Sequence, residues 1–248
     1  MLTSALATLG DYTLLMKRTF AKPGKHIMFY RQLVKEMYGL GLDSLPIVLI
    51  ISFFIGTVIT IQLSINMTNP LIPRFTIGYS AREIILLEFS STIMCLILAG
   101  KVGSSIASEL GTMRVTEQVD AMEIMGVNSA NFLILPKIMG LMLFIPVLSI
   151  ISMGIGISGG YVASMLVDNL PPESYVFGIQ FGFKPRFILH SIVKSLVYAF
   201  IISSVSSYYG YTVKGGALDV GTASTNAVVK SSVLILFFDV ILTNLLLV

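Results

Sequence analysis

Glu109–Asn128 reads ELGTMRVTEQVDAMEIMGVN, a charged interruption between two of the longest apolar runs of the chain. At 3.6 residues per turn, Thr116 to Met125 form a short two-sided helix. Glu117, Asp120 and Glu123 recur every three residues on one side, with Val119, Met122 and Met125 on roughly the opposite side. Gly126 is placed to stop it. Such a segment lies flat outside a bilayer; the plainer alternative is a solvated connecting loop with incidental helicity.

The runs on either side name the solvent. With 55% hydrophobic and 12% charged residues and a mean hydropathy of +0.88, the chain would expose far too much apolar surface in water, and it reads as an integral membrane protein. At about 20 residues per span, 248 residues accommodate one bundle of about five helices and no second, soluble domain. The net charge of +3 comes from scattered basic residues, or from ones beside apolar runs, which sets nucleic acid aside. One cysteine, Cys95 inside an apolar run, leaves no intramolecular disulfide and no thiol-rich metal site. The first bases arrive at Lys17, after an apolar stretch, which is not the order of a cleavable signal peptide.

Residues 1–25 are weakly patterned and end in a basic cluster broken by Pro23 and Gly24, a surface helix or arm. From Ile27 to Gly41, apolar Ile27, Tyr30, Val34, Met37 and Tyr38 follow helical spacing while Arg31, Lys35 and Glu36 take another side. This is an amphipathic helix at the membrane interface, or else the wet end of a first span. Asp43, Ser44 and Pro46 favour a fresh start there. The division is therefore an N-terminal arm and interfacial helix, 1–44, and a transmembrane body, 45–248. Spans follow at about 45–65, 84–108, 132–166, 187–209 and 228–248, with loops at 66–82, 168–186 and 211–226; the 168–186 loop is long enough for a short helix. The Asn66-Met-Thr68 sequon has no meaning outside a secretory route. Pro146 suits a kink in the third span. Gly100, Gly103 and Ser104, and again Ser152, Gly156 and Gly160, form small-residue stripes where a neighbouring backbone can approach.

Beyond its pattern, the wording Glu109-Leu-Gly-Thr-Met-Arg-Val-Thr-Glu-Gln-Val-Asp-Ala-Met-Glu-Ile-Met-Gly-Val closely resembles the motif of the MlaE family, permease subunits of bacterial ABC systems that move phospholipids between inner and outer membrane. The resemblance continues through Ala99-Gly-Lys-Val-Gly-Ser-Ser and Leu135-Pro-Lys, and more weakly through Val193-Lys-Ser-Leu-Val and Phe238-Asp-Val-Ile-Leu-Thr. The first 25 residues are the least similar. The resemblance implies that Glu109, Arg114, Glu117, Asp120, Met122, Glu123 and Met125 belong to a coupling helix docked on a separate ATP-binding subunit. It further implies ATP bound on that partner and no cofactor on this chain. A periplasmic MCE-domain lipid-binding protein would sit on the outer face, with phospholipid as cargo and lipid asymmetry of the outer membrane as the outcome.

Three ionisable side chains fall within apolar runs: Glu88, Lys194 and Asp239. Each is costly in lipid and so a site candidate. With the N-terminus inside, eleven lysines and arginines lie near the inner ends of the spans against four outside, which places the Glu109–Asn128 stretch on the cytoplasmic side and the C-terminus on the other; the resemblance implies that the membrane is a bacterial inner membrane and that other side its periplasm. In that topology the depths of Lys194 and Asp239 let them meet, and Glu88 is about a turn into its span from the same side. The trio either lines a lipid cavity or is an ion pair fixing helix packing. Lys101 reads as a headgroup anchor, and Arg114 as an anchor or a partner of Glu109 or Glu117. The chain carries no Walker motif, nucleophile motif or metal-ligand cluster, so it is read as no enzyme itself. Five spans are few for a large amphiphile, so a homodimer with the lipid site near its interface is expected. A proton-driven transporter using Glu88 and Asp239, or a membrane scaffold without transport, are the readings from other classes.

Overall fold

A computed structural model describes residues 2–21, 26–67 and 71–247, with side chains described from residue 6 and omitted for 26 and 247. Lys22, Pro23, Gly24 and Lys25 at the end of the arm, Thr68 of the sequon, Pro70 of the first loop, and the terminal Met1 and Val248 lie outside the described residues. The described chain is helical, in the order α1 (Leu2–Thr19), α2 (His26–Glu36), α3 (Leu45–Asn66), α4 (Phe75–Ile84), α5 (Met94–Leu98), α6 (Ser104–Val115), α7 (Gln118–Ile124), α8 (Ser129–Leu166), α9 (Pro172–Gln180), α10 (Arg186–Tyr211) and α11 (Ala217–Leu247).

Among the described residues, five helical runs are long and apolar enough to cross a bilayer: Ile27–Asn66, Phe75–Val115, Ser129–Leu166, Arg186–Tyr211 and Ala217–Leu246. The chain is thus an all-α, multi-pass membrane protein. All five are longer than the spans read from sequence, three of them by nine residues or more. The break expected at Asp43 to Pro46 is a change of winding, with a π turn over Met37–Gly41 and a 3₁₀ turn over Leu42–Ser44 leading straight into α3. The second run starts at Phe75 inside the expected loop. It passes through π-helical stretches at Ile85–Ile93 and Ala99–Gly103 before ending at Val115. The last run starts at Ala217 rather than after residue 226. Val220, Ala223 and Ala227 are buried along one side of its first turns, while Asp219, Thr222 and Asn226 face outward. That outward polarity made a helix read as a loop. The expected short helix between the third and fourth spans is α9.

Contacts gather the chain into two compact units. One comprises Met1–Asp43, Leu96–Phe144 and Val197–Phe238; the other comprises Ser44–Cys95, Ile145–Leu196 and Asp239–Val248. In the first, Ile106, Leu110, Ile134, Ile138, Tyr198 and Ile202 are fully buried. In the second, Ile77, Ala81, Leu170 and Tyr175 form one apolar cluster and Ile85, Leu86 and Met153 another.

Glycine sets the closest approaches. A Cβ on Gly56 would run into the Gly156 carbonyl, and one on Gly160 into Thr60 and the Tyr175 hydroxyl; one on Gly156 would sit 3.0 Å from Ile85 Cγ2. Likewise a Cβ on Gly103 would lie 2.8 Å from Ser206 Oγ. Ser104 accepts from Ser224 at its carbonyl, 3.3 Å. These stripes are filled by helices of the same chain. Gly100 differs from the expectation, since a Cβ there meets nothing within 4 Å. The glycine turn between Glu123 and Asn128 is as expected: Gly126 has φ +77°, and Val127 N–H donates to Met122 O at 3.0 Å, the bonding that closes a helix C-terminus.

Candidate functional site

Two groups of the sequence candidates assemble, one in each unit. In the first unit, α6 ends at Val115 and the chain reverses through Glu117, the one non-glycine residue with positive φ (59°) among the described residues. Seven residues of α7 follow, two shorter at the N-terminal end than periodicity indicates. Its two faces are used differently from the simple acidic and apolar division. Val119 is fully buried and Met122 partly, whereas Ile124 and Met125 are 87% and 71% exposed.

The acids are largely taken up within the chain. Asp120 pairs with Arg114, a partner that the sequence reading did not name. Glu123 accepts from Ser129 Oγ at 2.8 Å, Arg18 Nη2 at 2.9 Å and Tyr211 Oη at 3.0 Å. The Ser129 hydrogen bond, followed by those of Tyr211 and Arg18, holds its carboxyl below the ordinary value of 4.5 against a smaller opposing effect of burial. Glu117 remains exposed. Lys101, read as a headgroup anchor, donates to the Asp43 carbonyl.

A buried cation not singled out from sequence lies in the same unit. Lys137, 1% exposed, bridges Glu36 Oε2 and Glu109 Oε2, each at 2.7 Å. Glu36, expected on the wet side of α2 with Arg31 and Lys35, is 6% exposed and faces this lysine. Ile27, Tyr30, Val34 and Tyr38 of the same run do point outward, each more than half exposed. Lys137 lies inside the apolar run 132–166, so the rule that picked Glu88, Lys194 and Asp239 would have found it.

In the second unit, all three intramembrane candidates meet. Lys194 Nζ is 2.8 Å from Asp239 Oδ1 and 3.1 Å from Glu88 Oε1, and it donates to the Leu87 carbonyl at 3.4 Å. Thr92 Oγ1 donates to Asp239 Oδ1 at 2.8 Å and lies 3.4 Å from Glu88 Oε2. The lysine side chain is 4% exposed, Asp239 18% and Glu88 40%. An ammonium has three protons, and these three partners use them. Two carboxylates around one lysine leave a surplus negative charge, and its accessible edge is Glu88. Glu88 also sits in the π-helical stretch Ile85–Ile93, a winding that is often found at functional sites.

Arg82, expected in an outer loop, is instead 1% exposed. Its Nη1 donates to the carbonyls of Ile179 (2.7 Å) and Phe181 (2.9 Å) at the C-terminal end of α9, and its guanidinium lies over Tyr79 at 4.8 Å. Positive charge at a helix C-terminus is favourable, and α9 is thereby fixed against α4.

Comparison with known proteins gives a consistent picture. The family profile of Permease MlaE matches residues 33–245. A probable ABC transporter permease protein of Rickettsia bellii is 35% identical over 222 residues, 88% of this chain and 84% of that protein. One from Synechocystis is 32% identical over 201 residues, covering 81% and 76%. The chloroplastic protein trigalactosyldiacylglycerol 1 of Arabidopsis thaliana is 31% identical over 215 residues, covering 87% of this chain and 61% of the plant protein.

Proposed function

The chain belongs to the MlaE permease family and is a membrane permease of the ABC-transporter kind, and from that premise we propose that it carries phospholipid between the inner and outer membranes and so maintains outer-membrane lipid asymmetry. The observation that carries the lipid reading is the trio of Lys194, Glu88 and Asp239, a polar site with one accessible carboxylate set among apolar spans. A headgroup needs such a site; acyl chains need the apolar helices around it. The lipid name borne by the Arabidopsis relative points the same way.

Energy comes from a separate ATP-binding subunit, which holds the ATP. Its docking surface is α7, a reading supported by the exposure of Ile124, Met125 and Glu117. Val119, Asp120 and Glu123 hold α7 in place from within. The membrane is the bacterial inner membrane, with the N-terminus and α7 cytoplasmic and the C-terminus periplasmic. The excess of lysine and arginine near the inner ends supports this orientation, and it survives setting aside the buried Lys137 and Arg82.

The working unit is a homodimer. Its surface is not the glycine stripes, which apart from Gly100 are already filled within the chain, but the outward side of α11, an apolar stretch of which only 11% is buried. A periplasmic MCE-domain protein hands phospholipid to or from the outer side.

The test is extraction of the tagged protein in mild detergent, with assay of bound ATPase and co-extracted phospholipid. Both are expected with the unaltered chain. Ile124→Asp with Met125→Asp should lose the ATPase and keep the lipid. No ATPase with the unaltered chain would remove the energy source and the proposal with it.

A further inference from the structure

Helix α1 lies outside residues 33–245, the part matched by the family profile, yet it is docked on the segment that runs from α7 into α8. Its inner edge is Leu15, Met16 and Thr19, all buried, with Tyr12 half-buried one turn earlier. Those positions share one side of a helix. Tyr12 donates to Ser204 Oγ at 2.8 Å and packs edge-on against Tyr208, 5.8 Å between ring centres.

The C-terminal end of α1 carries the more specific contacts. The last carbonyls of a helix have no partner within it and need outside donors. Here Asn128 Nδ2 donates to Arg18 O at 3.0 Å, and Asn131 Nδ2 donates to both Thr19 O (2.7 Å) and Ala21 O (2.6 Å). Asn131 is 7% exposed, so water does not readily take its place. Both asparagines belong to the turn that leaves α7 and to the first turn of α8. Arg18 also reaches back to Glu123 within α7, although that pair is exposed at both ends and weak by itself.

Seven residues are too few to hold a helix in water without help. The placement of α7 therefore depends on its supports, and α1 grips the chain at its exit. We propose that α1 is a strut for α7, with Asn131 as the positioning residue that caps α1 and thereby orients Ile124 and Met125 toward the ATP-binding subunit. This rests on the docking role of α7 proposed above.

The experiment uses the full chain with Asn131→Asp, which keeps the size but turns a donor into an acceptor facing two carbonyls, beside a chain lacking residues 2–21. Amide exchange across residues 118–127 is measured on the purified protein without its partner, and half-saturation by the ATP-binding subunit is measured separately. Asn131→Asp should raise exchange across 118–127 by about tenfold and weaken subunit binding severalfold, leaving co-extracted lipid unchanged. In the chain already lacking α1, Asn131→Asp should add nothing, since the two changes remove one contact. Unchanged exchange in Asn131→Asp, or an undiminished effect of that change without α1, would overturn the strut. Raised exchange together with no subunit bound to the unaltered chain would support the strut and overturn the docking role instead.

Discussion

Lys194 Nζ and Asp239 Oδ1 lie 2.8 Å apart, joining α10 to α11 through a lysine that is 4% exposed. Removing one partner of a buried pair leaves an uncompensated charge, whereas removing all the charges together does not. Lys194→Met should therefore destabilise the protein by about 3 kcal/mol, read as a lowered thermal midpoint in detergent. Adding Glu88→Gln and Asp239→Asn should recover most of that loss. If the neutral triple variant also kept full lipid transport, the trio would be packing alone and the lipid-site reading would fall.

Because the protons of Lys194 are committed to Glu88, Asp239 and the Leu87 carbonyl, a lipid phosphate gains that ammonium only by displacing one of these partners, and beside Glu88 it also meets a like charge. Glu88→Gln removes the accessible negative charge and frees one donor. The phospholipid co-extracted with Glu88→Gln should be enriched in anionic headgroups relative to the unaltered protein. Headgroup analysis by mass spectrometry decides it, and an unchanged ratio would place the headgroup away from Glu88.

Lys137 divides the same physics unequally between two partners. Glu36 is 7% exposed at its side chain and Glu109 45%, so solvent screens one pair and not the other. Glu36→Gln should lower stability by about 2 to 3 kcal/mol, against less than about 1 kcal/mol for Glu109→Gln. Equal losses in thermal unfolding would show that the exposed pair is not screened as its accessibility implies.

How far the sequence reached follows from which interactions are local. Five apolar runs, the stop at Gly126 and the helix between Pro171 and Phe181 depend on composition and short-range patterning, and these were legible. The meeting of Lys194, Asp239 and Glu88 was also legible, because span depth and antiparallel order constrain it. Lys137 with Glu36 and Glu109, and Arg82 with the end of α9, were not, since each pairing joins residues 28 to 101 positions apart with no local signature. The first turns of α11 were missed because a polar outward side looks like a loop when its buried side is alanine and valine. The acids of α7 were legible as a row, but their partners Arg18, Ser129 and Tyr211 come from three other segments.

The small-residue positions separate by what a Cβ would meet. At Gly56 it would strike the Gly156 carbonyl, a backbone atom that cannot rotate away, while at Gly100 it meets nothing within 4 Å. Gly56→Ala should destabilise by several kcal/mol, roughly the upper range for point changes, and Gly100→Ala should be neutral or stabilising by up to about 1 kcal/mol through helix propensity. If Gly100→Ala instead abolished transport in a folded protein, Gly100 would mark a contact with a partner chain.

Glu123 supplies the pH dependence. Its folded carboxyl titrates below 4.5 because Ser129, Tyr211 and Arg18 donate to its charged form. A depressed carboxyl pKa contributes stability that is fully present above the ordinary value and is lost as pH falls through the folded one. Protection of α7 amides should therefore be constant from neutral pH down to about 5 and then decline on acidification. Ser129→Ala removes the largest cause of the shift, so the decline should be smaller and be complete at higher pH; Glu123→Gln should remove this part of the dependence. Amide exchange of residues 118–127 against pH, in the three proteins side by side, tests the assignment. Identical profiles in all three would mean that Glu123 does not hold α7, and that Val119 and the Arg114–Asp120 pair do so without it.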